Sequence, residues 1–223
     1  MQGDGNAAGD GTIAGPTTSR RRGGWLWVGC LQYFAAEAIA AAGFRGGYSF
    51  RRNFISDLGT VRCGDGAGCS PLHPLMNASF LVQGVLIFAG AVVVWPLFPR
   101  GLARLALGLI AASGLGVAVV GLAPEDAAPG WHYLGAAENL LLSNTGAALL
   151  GAALLREKRA PRAVGLLSLG FGLIGLAGLA GLAVRVDFGL GAGVIERIAA
   201  YPFPLWLAGM GVWLVGGGCK TRR

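Results

Sequence analysis

LMNASFLVQGVLIFAGAVVVWPL, residues 75–97, runs for 23 positions without one charged side chain. As an α-helix rising 1.5 Å per residue it is about 34 Å long, enough to cross the roughly 30 Å of hydrocarbon in a bilayer. The next stretch, 102–122, repeats the pattern, with Arg104 as its one charge. Further apolar blocks lie near 25–43, 131–155, 163–184 and 198–215, the last blurred at its start by Pro202 and Pro204. The pattern predicts an all-α polytopic membrane bundle of about six transmembrane helices.

Composition agrees. The chain has 223 residues, 54% of them hydrophobic and 13% charged, with a mean hydropathy of +0.59. A soluble domain carries about 25% charged residues, so there is too little polar side chain to cover a water-exposed globule. The formal net charge of +7 does not indicate nucleic acid. The basic residues are scattered over loops and tails and form no single face. Arg outnumbers Lys sixteen to two, and Ala and Gly are abundant, a composition common in GC-rich bacteria.

Three regions follow: a polar, Gly-rich tail at 1–24, expected to be disordered; a six-helix domain at 25–216 with a large outer loop at 44–73; and a short basic tail at 217–223. With both termini placed in the cytoplasm, the cytoplasmic segments hold twelve Lys and Arg and the outer ones six, namely Arg45, Arg51, Arg52, Arg62, Arg185 and Arg197. The positive-inside rule favours that orientation in the cell membrane. Ala38-Ile39-Ala40 matches a small-x-small cleavage pattern, but Gln32 and Glu37 interrupt the apolar stretch and the leader is long, so the first span reads as retained.

Polar residues inside spans are costly in hydrocarbon and therefore informative. Glu37 and Glu138 sit at matched depth, about 10 Å below the outer ends of the first and fourth spans. His73 and Asn77 are four apart and share a helix face. His132, Asn139 and Ser143 fall on one stripe at 100° per residue. Glu196 and Arg197 open the last span, and Asp57 lies in the large loop. Both histidines of the chain, His73 and His132, fall at outer helix ends. Glu37, Asp57, His73, Asn77, His132, Glu138, Asn139, Glu196 and Arg197 are therefore the candidate lining of an outward-facing polar pocket. Each also has a plainer reading, as an interfacial anchor, a turn brace or an interhelical hydrogen bond.

Cys63 and Cys69 flank a Gly-Asp-Gly-Ala-Gly stretch in the large loop. On the oxidising side of a membrane they are candidates for a local disulfide. A zinc site would need two further ligands, and none is assigned.

The stretch Asn53-Phe54-Ile55-Ser56-Asp57-Leu58-Gly59, with Cys69-Ser70-Pro71-Leu72-His73 and Met76-Asn77-Ala78-Ser79-Phe80 downstream, resembles a bacterial and archaeal membrane family, domain of unknown function 998. His132, Glu196-Arg197-Ile198 and Pro204-Leu205-Trp206 are similar to the same pattern, so the resemblance covers nearly the whole chain after the tail. It implies a six-helix membrane fold and no particular activity.

Three functions are compatible with these residues. The first is binding or transport of a lipid or other amphiphile in the outer pocket, with arginines meeting an anionic head group. The second is a metal-dependent intramembrane lipid hydrolase or transferase using His73, His132, Asp57 and Glu37 or Glu138. It faintly resembles hydrolases related to alkaline ceramidases, whose paired-His motif is missing here. The third is a structural membrane subunit without a ligand. Membrane lipids are the expected partners, and no cofactor is assigned.

Overall fold

A computed structural model describes residues 16–63, 69–98 and 101–218. Among the described residues eight α-helices follow one another: α1 (Pro16–Gly29), α2 (Gln32–Ala42), α3 (His73–Val94), α4 (Leu102–Leu122), α5 (Pro129–Glu157), α6 (Arg162–Ala183), α7 (Ala192–Ala200) and α8 (Pro202–Val215). α1 with α2 and α7 with α8 each continue as one broken rod, so the chain crosses the bundle six times. Five of the rods, Thr17–Ala42, His73–Leu97, Leu102–Leu122, Arg162–Ala183 and Ala192–Val215, are long and apolar enough to span a membrane. The sixth, α5, has 29 residues and is lowered in hydropathy by His132, Glu138, Asn139 and Asn144.

The sequence expectation placed residues 1–24 in a disordered tail. Residues 1–15 lie outside the described residues, but α1 already begins at Pro16. The helix extends past the apolar block because Arg20–Arg22 are compatible with helix where the rod emerges from hydrocarbon. Arg20 Nη1 donates to the Gly217 carbonyl at 3.2 Å, so both ends of the described chain lie on one face. Residues 219–223 of the expected basic tail lie outside the described residues.

Each rod packs on its sequence neighbour, and the first closes on the last, so the six spans form a ring. The closing seam is antiparallel over its whole length. Gly24 meets Gly211, where an added Cβ would stand 2.7 Å from the Gly211 carbonyl oxygen. Trp27 packs on Trp206 at 6.1 Å between centroids and Tyr33 on Tyr201 at 6.4 Å. Glu37 then meets Arg197. Lipid supplies no hydrophobic drive between helices, so small residues that let backbones touch hold such seams. Gly84 and Gly114 do this between α3 and α4.

The two breaks lie at one depth. Between α1 and α2 the turn tightens to i→i+3 bonds, Cys30 N to Trp27 O at 3.2 Å and Leu31 N to Val28 O at 3.1 Å. Between α7 and α8 the break falls at Tyr201, since Pro202 has no N–H to continue the ladder. Phe34, just past the first break, meets Tyr201 edge-on at 5.0 Å. The described parts of the long loop, 43–63 and 69–72, the α4–α5 turn and the α6–α7 turn all lie on the face opposite the described chain ends.

Candidate functional site: a chamber in the loop-bearing half

Inside the ring, toward the loops, is a two-lobed chamber. The inner lobe, about 80 Å³, reaches down among Tyr33, Gln83, Val117, Asn139, Ser143 and Phe203. The outer lobe, about 640 Å³, lies between α5 and the α6–α7 turn and includes Glu125, Tyr133, Arg185 and Asp187. Ser56, His132, Ala136, Leu140 and Glu196 line both lobes and mark the passage between them.

A divergence of two helices opens the outer lobe. α5 and α6 touch backbone to backbone in the half near the termini: an added Cβ at Gly151 would stand 2.7 Å from the Gly165 carbonyl oxygen, and one at Gly172 2.5 Å from that of Asn144. Beyond Asn144, α6 leans on α7 instead, with Gly178 against Ile198 and Ala199 and Gly181 against Ile195. Asn144 marks the fork, its Nδ2 donating to the Ala199 carbonyl at 3.0 Å. Above it, His132, Ala136 and Leu140 face Gly181, Leu182 and Arg185 across the chamber.

His132 stands in the first turn of α5, after Pro129, and is 5% exposed. Its Nδ1 lies 2.9 Å from the Ala123 carbonyl oxygen. A carbonyl only accepts, so Nδ1 carries the proton and Nε2 of the neutral ring is an acceptor. Glu196, on α7, accepts a hydrogen bond from the Ile55 backbone N–H. One residue further, a 100° turn of helix points Arg197 the other way. Arg197 donates to Glu37 Oε1 at 2.9 Å, to the carbonyls of Phe50 at 2.9 Å and Asn53 at 3.0 Å, and to the Tyr48 hydroxyl. The Tyr201 hydroxyl donates to Glu37 Oε1 and Oε2, each at 2.7 Å. Burial raises the Tyr48 hydroxyl above the ordinary tyrosine range, with Arg197 pulling the other way.

Adjacent residues of α7 thus pin the segment 48–56 from two sides, and this puts Ile55 and Ser56 over the chamber. The segment comes this close because Gly193 has no Cβ to strike the Asn53 carbonyl, and the Gly193 N–H donates to Arg51 O at 3.1 Å. Asp57 closes the turn, accepting from Asn53 Nδ2 at 2.9 Å and Phe54 N at 3.0 Å. Burial pushes its carboxyl above the usual aspartate range, and those two hydrogen bonds partly offset it. Asn77 Nδ2 holds the Gly59 carbonyl at 2.9 Å. Cys63 and Cys69 form a disulfide, beside a bridge in which Arg45 N donates to Cys69 O at 2.8 Å.

The nine candidate pocket residues therefore separate. His132, Asn139 and Glu196 line the chamber. Glu37 and Arg197 form the clamp beside it, and Asp57 and Asn77 brace the loop. His73 opens α3 and lines neither lobe. Glu138 lies between α4 and α5 against Gly116 and lines neither lobe either. Glu37, paired with Arg197, and Glu138, against Gly116, do not meet in one pocket. Among the described residues no group of three or more His, Cys, Asp and Glu is placed to hold a metal ion. The sequence reading did not single out Glu125, Gln83, Tyr48 or Tyr201. Tyr201 was legible in principle, four residues after Arg197 on one helix face.

A family model described as a protein of unknown function, DUF998, matches residues 14–213. No curated protein and no solved structure matches the chain.

Proposed function

From the premise that the chain belongs to the DUF998 family of proteins of unknown function, we propose that it holds an amphiphilic molecule, head group in the outer lobe and apolar tail in the α5–α6 fork. The observation that carries this is the chamber's size and form. A volume of about 640 Å³ falls in the roughly 300–1,000 Å³ range of small-molecule sites. Polar groups gather at its loop-bearing end, and Leu140, Ala136, Leu182 and Ile195 form its sides. A fork that widens along the bundle toward the loops offers a tail a sideways path from the lipid. The distribution of Lys and Arg supports placing the loop-bearing face on the outside of the cell membrane and both termini in the cytoplasm.

The hydrolase alternative loses its ligand set, because the donors do not converge. Glu37 is engaged by Arg197 and Tyr201, Asp57 by Asn53 and Phe54, and His73 lies off the chamber.

The test is native mass spectrometry of the full chain released from lipid nanodiscs. The expected result is one retained amphiphile per protein, lost in Leu140→Trp, whose indole fills the passage. Adducts equally abundant in wild type and in a normally folded Leu140→Trp protein would overturn the proposal.

A further inference from the structure

Among the described residues that line the chamber, the two buried side-chain atoms without a hydrogen-bond partner are both acceptors. Glu125 has one oxygen engaged, by the Tyr133 hydroxyl at 2.7 Å. Its other oxygen is buried without a partner, and the residue lines the outer lobe. The Asn139 side-chain oxygen is likewise buried and unpartnered, beside the inner lobe. Glu196 spends one carboxyl oxygen on Ile55. His132, 5% exposed, spends Nδ1 on Ala123 and lines both lobes. Buried acceptors left unpaired cost about 1–3 kcal/mol each, more when charged, so a guest that donates to them is favoured.

Basic side chains are scarce at the same place. Arg185 is the one Lys or Arg lining either lobe among the described residues. The neighbouring arginines are already engaged: Arg197 by Glu37, Tyr48 and the loop carbonyls, and Arg51 by the carbonyls of Gly189 and Leu190 at 2.7 and 3.1 Å. A phosphate needs several donors and would face Glu125, Asp187 and Glu196. An ammonium supplies up to three N–H donors and a positive charge.

Building on the amphiphile reading above, we infer that the chamber selects a primary ammonium head group over a phosphate. Glu125 is the principal partner, and His132 Nε2 and the free oxygen of Glu196 take the remaining protons. Glu125 meets the head group at the outer lobe, and the tail runs into the fork. Charge-assisted hydrogen bonds of this type contribute about 1.5–3 kcal/mol, which corresponds to about a tenfold or greater preference.

The experiment uses the full chain in zwitterionic nanodiscs, with protein-free nanodiscs subtracted. Saturable binding of dodecylammonium is compared with that of dodecyl phosphate, which has the same tail. Because the protein carries a net charge of +7, nonspecific attraction favours the phosphate, so the opposite preference is diagnostic. Expected are about tenfold tighter binding of dodecylammonium, loss of that preference in Glu125→Gln, and loss of both ligands in Leu140→Trp. Ala136→Phe serves as a second occluding variant, and each variant is first shown to unfold at the wild-type temperature. Equal or phosphate-favouring binding that still disappears on occlusion overturns the head-group inference and leaves the chamber reading standing. A preference unchanged in Glu125→Gln overturns the role of Glu125. Binding that is not saturable, or that survives both occluding variants, removes the chamber reading and this inference with it.

Discussion

Glu37 and Arg197 are 160 positions apart in the chain and 2.9 Å apart in the fold. Their ion pair joins the first span to the last at the loop-bearing end of the antiparallel seam. Both side chains are almost fully buried. Arg197 also gathers the carbonyls of Phe50, Asn53 and Gly193, so the same guanidinium closes the helix ring and fastens the loop over the chamber.

Breaking such a pair from one side leaves the other charge uncompensated, at a cost of about 3–5 kcal/mol in buried settings. Glu37→Gln is therefore expected to lower the thermal unfolding temperature sharply in a fixed detergent. Arg197→Lys keeps the charge but loses the planar fork that reaches three directions at once. It is expected to free the loop, read as faster proteolysis within residues 48–55. Wild-type behaviour in both variants would show that the pair holds nothing together.

The α3–α4 seam offers a steric test. A Cβ at Gly114 would stand 2.7 Å from the Gly84 carbonyl oxygen and 3.0 Å from the Phe88 nitrogen. Gly114→Ala is expected to cost about 1–3 kcal/mol through overpacking. At Gly170 on α6 nothing lies within 4 Å, so Gly170→Ala is expected to be neutral or to gain up to about 1 kcal/mol of helix stability. Comparing the two by unfolding in one detergent separates contact from propensity.

Acid should loosen one edge of the large loop. Slight burial works against the Asp126 carboxylate, but hydrogen bonds from the Val61 and Arg62 backbone N–H groups prevail and hold it below the usual aspartate range. A folded value below the unfolded one stabilises fully above the ordinary value of about 3.9, and the contribution is lost as pH falls through the depressed value. Amide exchange at Val61 and Arg62, corrected for its intrinsic rate, should accelerate over that acidic window. Asp126→Asn should remove the pH dependence. Asp57 acts with the opposite sign: its raised value makes its burial penalty fade as pH falls.

The disulfide reports orientation. With the loop outside, an impermeant maleimide on intact cells should label Cys63 and Cys69 only after an impermeant reductant is added. Cys30 is buried and should remain unlabelled. Labelling of the pair only after lysis, without reductant, would place the loop in the cytoplasm and reverse the proposed topology.

The spans were legible because hydrocarbon thickness imposes a length and a composition that a single sequence displays. Helix ends were less so. α1 runs nine residues before the expected start at Trp25, because a helix need not stop where hydrocarbon does. The offsets among His132, Asn139 and Ser143 fix a shared face by helix geometry alone, and that face lines the chamber. Matched depth for Glu37 and Glu138 carries no such information. Depth is read along the axis, whereas facing depends on rotation, and one residue of rotation separates Glu138 against Gly116 from Asn139 beside the chamber. The Glu37–Arg197 partnership was hidden because it depends on the ring closing first span to last, a tertiary fact without local periodicity.

The most direct measurement of the central claim is a crystal structure of the full chain grown from a lipidic mesophase, where native-like amphiphiles are abundant. The account predicts one continuous tube of density that starts beside Glu125 and Glu196, passes Leu140 and leaves through the α5–α6 fork above Asn144. A chamber holding only isolated water peaks, with α5 and α6 closed together above Asn144, would contradict it.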